Sequence, residues 1–123
     1  MIIIDYSDKR PIYEQIAGRF QALIVSGVME ADEKLPSVRS LAVELSINPN
    51  TIQRAYTELE REGFIYSVKG RGNFVKRDEA LFQRRKQHLL EEFEKQVCIC
   101  FRQGITEDEL LSGIRKVLER CQG

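Results

Sequence analysis

Apolar residues recur at helical spacing in three stretches of the first half of the chain. Residues 11–26 begin with a proline suited to a first helical turn and are followed by Gly27, which suits a helix end. The second stretch follows Ser37, whose hydroxyl can cap unpaired amides, and the third is followed by Gly63. The apolar positions are Ile16, Phe20, Leu23 and Ile24; Val38, Leu41, Ala42 and Leu45; and Ile52, Ala55, Tyr56 and Leu59. The pattern predicts three amphipathic helices.

The second and third predicted helices are separated by the four residues "SINP". Pro49 is suited to a first helical position, where its missing N–H has no partner to lose, and Asn48 can cap the same start. The polar residues off the apolar stripe of the third helix are Asn50, Thr51, Gln53, Arg54 and Thr57. The turn therefore predicts a capped helix that presents a polar face.

Two short runs of β-branched and aromatic residues follow, in "FIYSVKGRGNFV". The glycines between them can adopt positive φ, which indicates a β-hairpin with Lys69 and Arg71 at its tip. A glycine-rich phosphate loop is the alternative, but such a loop precedes a helix, whereas a second strand follows here. The segment "MEADEKLP", residues 29–36, is predicted to be a polar loop.

The pattern from about Asp78 onwards predicts two further helices. The first is long and charged and ends near Gly104, and the second begins with a capping box between Thr106 and Glu109. Their apolar positions are Phe82, Leu89, Phe93, Val97 and Cys100, with Leu90 and Phe101 beside them, and Leu110, Ile114, Val117 and Cys121, with Leu111 and Leu118 beside them. Because isolated helices cannot bury such wide stripes, the two are expected to pack together and against a second subunit.

Composition narrows the class of protein. A hydrophobic content of 42% in 123 residues is typical of a globular chain, and no apolar run approaches the roughly 20 residues that span a membrane. The start, with three isoleucines before an acid, does not predict a signal peptide. Three cysteines crowded toward one end indicate a reducing compartment and no disulfide framework. We therefore expect a cytoplasmic protein without a membrane segment.

The charge is unevenly distributed, although the formal net charge is zero. Residues 64–77 contain four cations and no acid, a local charge of +4. The four are Lys69, Arg71, Lys76 and Arg77. Such a patch can bind phosphate while acids elsewhere cancel the total, but a small cluster of cations is more often only solvated surface.

Three helices, a tight turn before the third, and a basic hairpin form the order of a winged helix-turn-helix. In this fold the helix after the turn enters the DNA major groove through its amino-terminal residues, where the amides of Asn50 and Gln53 can pair with adenine. The start of the preceding helix, with Ser37, can bind a phosphate. The hairpin brings Lys69 and Arg71 to the adjacent backbone or minor groove.

Residues 35–75, "LPSVRSLAVELSINPNTIQRAYTELEREGFIYSVKGRGNFV", resemble the DNA-binding domain of the GntR family of bacterial transcription regulators. "PIYEQI" upstream, and "NPNT" with "RAY", resemble its YtrA-type subfamily, and the resemblance covers residues 10–76 well. It implies a homodimeric regulator, usually a repressor, that binds a pseudo-palindromic double-stranded DNA operator, with Arg39 as a DNA contact. Many members have arginine at the positions of Pro49 and Gln53, so their base preference does not transfer to this chain.

The predicted fold class is mainly α with a small β-hairpin wing: a winged helix-turn-helix over residues 1–77 and a helical dimerisation tail over residues 78–123. The candidate DNA-binding residues are Pro36, Ser37, Arg39, Asn48, Asn50, Thr51, Gln53, Arg54, Lys69, Gly70 and Arg71. The candidate dimerisation residues are Phe82, Leu89, Phe93, Val97, Leu110, Ile114 and Val117. No cofactor or metal is expected, and the sequence does not identify a small effector.

Structural roles compete with several of these assignments. Ser37 and Asn48 could act only as caps. The competing surface ion pairs are Arg39 with Glu44 and Arg54 with Glu58. His88 and Glu92 lie four residues apart and could share a metal, but an exposed charged helix explains both more simply.

The alternative function is a winged helix that docks a partner protein without reading DNA sequence. The basic wing and the polar face of the third helix disfavour it. An enzyme is not expected, because the chain has one histidine and lacks a phosphate loop and a metal-ligand cluster.

Overall fold

A computed structural model describes residues 2–122, except for the side chain of Gln122. Met1 and Gly123, the outer bounds of the two predicted regions, lie outside the described residues. The elements are α1 (Ile12–Val25), α2 (Val38–Leu45), α3 (Pro49–Arg61), β1 (Ile65–Val68), β2 (Gly72–Val75), α4 (Glu79–Arg102) and α5 (Glu107–Gln122). The chain forms two compact units, one ending at Glu79 and the other beginning at Ala80. This order of elements confirms the predicted fold class.

The starts of α2 and α3 have the predicted cap residues. Ser37 Oγ accepts a hydrogen bond from Ser40 N at 3.0 Å. Asn48 Oδ1 accepts one from Asn50 N at 2.8 Å, and Pro49 is the first residue of α3. Each cap pairs an amide that the helix cannot pair itself. The proline therefore begins a helix, as predicted.

The turn between α2 and α3 is closed by a residue that the sequence did not single out. Ser46 ends α2 in the left-handed region, with φ 55°. Ile47 N then donates to Ala42 O at 3.0 Å, which pairs one of the last carbonyls of the helix. This closure lets the chain reverse within three residues and start α3.

The core of the first unit is organised around Tyr56. Its ring meets that of Phe20 edge to face, with centroids 5.6 Å apart and planes at 83°. Its hydroxyl donates to the carbonyl of Pro36 at 2.7 Å. Burial raises the pKa of Tyr56 well above its ordinary value, so the hydroxyl keeps the proton that it donates. The predicted apolar positions buried with it are Ile16, Phe20, Ile24, Leu41, Ala42, Ile52, Ala55 and Leu59. One side chain thus holds α3 to α1 and to the segment before α2.

Residues 29–36 form a loop, as predicted, but part of this loop adds a third strand-like segment to the wing. β1 and β2 pair antiparallel, and Lys34 forms a bridge to Phe74 on the other edge of β2. Leu35 N donates to Asn73 O at 2.9 Å. Leu35 and Met29 are buried. Two apolar residues among acids show no strand-like alternation, so the sequence did not predict the pairing. The segment pairs because the free edge of β2 offers backbone donors and acceptors to it.

The tip of the wing depends on glycine at two positions. Gly70 has φ +77° and Gly72 has φ +124°, both in the region that other residues rarely adopt. Arg71 N donates to Val68 O at 2.9 Å and closes the turn. A Cβ on Gly72 would lie 3.0 Å from Lys34 Cε, so the missing side chain also lets the lysine stem cross the hairpin.

The second unit begins and ends its helices as the pattern predicts. Gly104 follows α4 with φ +88°. The capping box of α5 is reciprocal: Glu109 N donates to Thr106 Oγ1 at 3.2 Å, and Thr106 N donates to Glu109 Oε1 at 3.0 Å. The backbone N–H and then the hydroxyl of Thr106 lower the pKa of Glu109.

The apolar faces of α4 and α5 lie open in the single chain. No described side chain of α5 is buried, and Phe82, a candidate dimerisation residue, is already buried in α4. The exposed large apolar residues of these two helices are Leu89, Leu90, Phe93, Ile99, Phe101, Leu111, Ile114, Val117 and Leu118. The expectation that the two helices pack together and against a second subunit stays a prediction, because these stripes are open in one chain. Among the described helices, none has the length and hydropathy of a bilayer span.

The Tyr56→Phe variant tests the hydroxyl that joins α3 to Pro36. It keeps the ring against Phe20 and removes one hydrogen bond from a mostly buried site, so we expect the free energy of unfolding to fall by about 0.5–1.5 kcal/mol. Urea denaturation measures the change. Tyr66→Phe is the matched control, because that hydroxyl bonds an exposed acid, Asp32, and should matter less. Equal effects of the two variants would contradict this role of Tyr56.

The Gly72→Ala variant tests the backbone of the wing. Its φ of +124° is strained for any side chain, and the new Cβ would press on Lys34 Cε. We expect a loss of roughly 1–3 kcal/mol in the free energy of unfolding. Gly70→Asn is the control, because asparagine tolerates the left-handed φ at an open position. A Gly72→Ala protein as stable as the wild type would refute the requirement.

Candidate nucleic-acid interface

The side of α3 that faces away from the core carries polar side chains with unused hydrogen-bonding capacity. Asn50 and Arg54 lie one turn apart on this side and are exposed, with Gln53 and Thr57 beside them. Thr51 lies at the edge of the buried stripe and is only half-buried. The helix has no acid in its first turn. Its amino end therefore offers amide groups without a nearby carboxylate to repel phosphate.

Two of these amide side chains are partly engaged within the helix. Asn48 uses its carbonyl oxygen as the cap, which confirms the capping role but leaves its contact with DNA a prediction. Gln53 Nε2 donates to Thr57 Oγ1 at a long 3.3 Å. Asn50 contributes its backbone N–H to the cap, while its side chain remains exposed. Asn50 is therefore the side chain best placed to pair with a base edge.

The start of α2 forms a second exposed polar site. Ser37 Oγ donates to Ser40 Oγ at 2.9 Å while it caps the helix. Pro36, whose carbonyl is tied to Tyr56, precedes the cap, and Arg39 is exposed in the first turn. Among the described residues no acid forms an ion pair with Arg39, so the competing pair with Glu44 is absent. A helix start with hydroxyls and a cation suits a phosphate oxygen.

The set of cations at the wing differs from the set that the sequence suggested: Arg77 is lost from it and Lys34 is added. Lys69, Gly70 and Arg71 are exposed at the tip. Arg77 belongs elsewhere, because its Nη1 donates to Ile24 O at 2.7 Å and its Nε contacts Glu79 Oε1 at 2.6 Å. Lys34, predicted to lie in a loop, is exposed beside the hairpin. Its place at the wing could not be read from the sequence, because only the pairing with β2 brings it there.

Arg54 has a partner that spacing on α3 did not indicate. Its Cζ lies 3.8 Å from the centre of the Tyr13 ring, on α1. The competing pair with Glu58 is not formed, because Glu58 Oε2 bonds Arg61 Nη2 at 2.7 Å. That hydrogen bond lowers the pKa of Glu58. Tyr13 is half-buried, and the face of its ring supports the Arg54 cation.

The part of the chain that the structure describes has no group of three metal-binding side chains. Glu92, considered as a partner of His88, lies 3.4 Å from Lys95 Nζ instead. The three cysteines are free, with Cys98 and Cys121 exposed and Cys100 half-buried.

Comparison with known proteins agrees with this geometry. Residues 12–75 match the family described as "Bacterial regulatory proteins, gntR family". The HTH-type transcriptional repressor YtrA of Bacillus subtilis is 37% identical over 125 residues, covering 100% of this chain and 96% of that protein.

Two solved structures show the same fold. A GntR family transcriptional regulator from Listeria monocytogenes is 36% identical, covers 92% of this chain and 98% of its own, and has a TM-score of 0.70. The DNA-binding domain of AraR, solved in complex with operator ORR3, is 29% identical and covers 59% of this chain and 88% of its own, with a TM-score of 0.52. On the family match and the full-length similarity to YtrA, the chain belongs to the GntR family of bacterial regulatory proteins.

Proposed function

We propose that the chain is a transcriptional regulator that acts as a homodimeric repressor at a pseudo-palindromic DNA operator. The observation that carries the proposal is the exposed, acid-free amino end of α3, whose polar side chains lie outside a core anchored by Tyr56. The similarity to YtrA, a repressor, and to AraR, whose DNA-binding domain binds an operator, supports the same function. A regulator of this kind works in the cytoplasm, where the operator DNA lies.

Different residues have different proposed roles on DNA. Asn50 and Gln53 contact base edges in the major groove, where an amide can pair bidentately with adenine. Ser37, Arg39 and Lys34 contact phosphates, which position the protein without reading sequence. The wing tip, with Lys69 and Arg71, meets the neighbouring backbone or minor groove. Pro49 and Gln53 stand where many relatives have arginine, so the base preference belongs to this chain's own amides.

The tail supplies the proposed dimer contacts. The exposed part of the stripe on α4 begins at Leu89, which is 68% exposed, and continues through Phe93. On α5 the stripe includes Ile114 and Val117. Large apolar faces left open by one chain are typical of surfaces that a second protein covers. A twofold dimer would set two α3 helices about 34–36 Å apart, in successive major grooves.

Selection of bound fragments from genomic DNA tests the proposal directly. The selected fragments should share two inverted half-sites, and log K should fall with log salt by about 0.9 for each phosphate contact. Failure to enrich any sequence, or a flat response to salt, would favour a winged helix that docks a protein.

Two alanine variants should separate base reading from phosphate binding. Arg39→Ala should weaken binding to all sequences by roughly 1.5–3 kcal/mol and lower the salt slope, because one charged contact is lost. Asn50→Ala should reduce discrimination at one base pair by about 1–3 kcal/mol and leave the salt slope unchanged. Titrations of selected and base-substituted duplexes measure both effects.

Arg84→Ala is the control for charge, since it removes an exposed cation from α4. It should leave binding unchanged. An Asn50→Ala protein with wild-type operator preference would show that Asn50 does not read a base.

The Ile114→Glu variant tests the tail as a dimer contact. A carboxylate buried between two subunits is strongly unfavourable, so the dissociation constant of the dimer should rise by at least about 100-fold. Sedimentation equilibrium measures it. Ser112→Glu adds the same charge on the other side of α5 and should not alter the dimer. A dimer that survives Ile114→Glu would remove the proposed role of this stripe.

A further inference from the structure

The contact between Tyr13 and Arg54 joins the start of α1 to the outward side of α3. The Arg54 guanidinium carbon lies 3.8 Å from the centre of the Tyr13 ring. Arg54 is exposed and follows Asn50 by one turn. Tyr13, the second residue of α1, is half-buried. We propose that Tyr13 is a positioning residue that aims Arg54 at a DNA phosphate on the edge of the major groove; this rests on the proposed function.

The ring is the principal constraint on Arg54. Glu58, one turn further along the same helix, forms a salt bridge with Arg61, with Arg61 Nη2 2.7 Å from Glu58 Oε2. No carboxylate of residues 2–122 forms a salt bridge with the Arg54 guanidinium. An arginine that stacks on an aromatic ring keeps its N–H donors at the edge of the guanidinium available. The guanidinium of Arg54 is therefore oriented by the ring without forming an ion pair.

The position of the ring favours a phosphate over a base as the partner. Residues at the amino end of a recognition helix reach base edges, whereas Arg54 begins the next turn and is drawn sideways toward α1. The flank of a helix in the major groove faces the sugar–phosphate backbone. A planar, always charged guanidinium suits the oxygens of a phosphate.

The hydroxyl of Tyr13 has another role. It donates to Glu14 Oε1 at 3.3 Å, on its own helix. Because the contact with Arg54 is made by the face of the ring, phenylalanine should replace tyrosine without loss. A contact between the hydroxyl and DNA would require the opposite result.

Restraining a long side chain before binding lowers the conformational entropy lost when it meets its target. We expect Tyr13→Leu to weaken DNA binding about two- to five-fold, the range that an exposed cation–π contact supplies when tenfold corresponds to 1.4 kcal/mol. Arg54→Gln should weaken binding more and reduce the salt slope by about 0.9. Arg54→Lys should keep the slope and lose affinity, because lysine keeps the charge but not the planar fork.

A double-mutant cycle on a genomic fragment bound by the wild type tests the proposal. In the Arg54→Gln background, Tyr13→Leu should have no further effect on affinity, and Tyr13→Phe should match the wild type in either background. Urea denaturation of each variant shows whether it is folded. If Tyr13→Leu does not fold, the comparison of Tyr13→Phe with Arg54→Lys carries the test.

Three results would overturn the proposal. The first is an equal loss from Tyr13→Leu with and without Arg54, which would mean that the tyrosine acts independently. The second is a loss from Tyr13→Phe as large as that from Tyr13→Leu. The third is an unchanged salt slope in Arg54→Gln. By contrast, a wild-type protein that binds no fragment would refute the proposed function itself, and with it any role of Tyr13 on DNA.

Discussion

Tyr56 joins the three parts of the amino-terminal unit that must keep a fixed geometry. Its ring packs edge to face on Phe20 of α1, and its hydroxyl bonds the carbonyl of Pro36 just before the cap of α2. A buried hydroxyl without a partner would be unfavourable, so the hydrogen bond selects one position of α3 relative to the start of α2. The two helix starts proposed to meet DNA are thereby oriented by one interior side chain, and the exposed side chains of Arg39 and Asn50 need not fix that orientation.

At the starts of α2 and α3, different residues cap the helix and face the solvent. The side chains of Ser37 and Asn48 accept hydrogen bonds from backbone amides that would otherwise be unpaired, and this stabilises the starts of α2 and α3. The side chain of Asn50, the residue after Pro49, takes no part in the cap and stays exposed. This chain lacks arginine at positions 49 and 53, but the fold places cations around the same surface. Lys34 lies beside the wing, and Arg54 rests on Tyr13.

The two units use their surfaces differently. In the first, apolar side chains of all three helices form a buried core and the exposed side of α3 is polar. In the second, long charged helices leave apolar stripes open, as Phe101, 72% exposed, illustrates. A zero net charge is compatible with both, because the cations of the wing are balanced by acids elsewhere in the chain. The distribution of charge and apolar surface, more than the totals, distinguishes the unit proposed to face DNA from the unit proposed to self-associate.

The sequence by itself determined the elements that depend on near neighbours: the helices of the described chain, the caps Ser37, Asn48 and Thr106, the glycine-dependent hairpin, and the polar face that begins at Asn50. Periodicity and capping act within a few residues, so they can be read from the chain.

Tertiary structure alone decided four other features. They are the pairing of residues 33–35 with β2, the diversion of Arg77 to the Ile24 carbonyl, the support of Arg54 by Tyr13, and the open faces of α4 and α5. Each joins or separates groups that are far apart in sequence. A long side chain or a free strand edge takes whichever partner the folded backbone brings near, and no local pattern of residues encodes that choice.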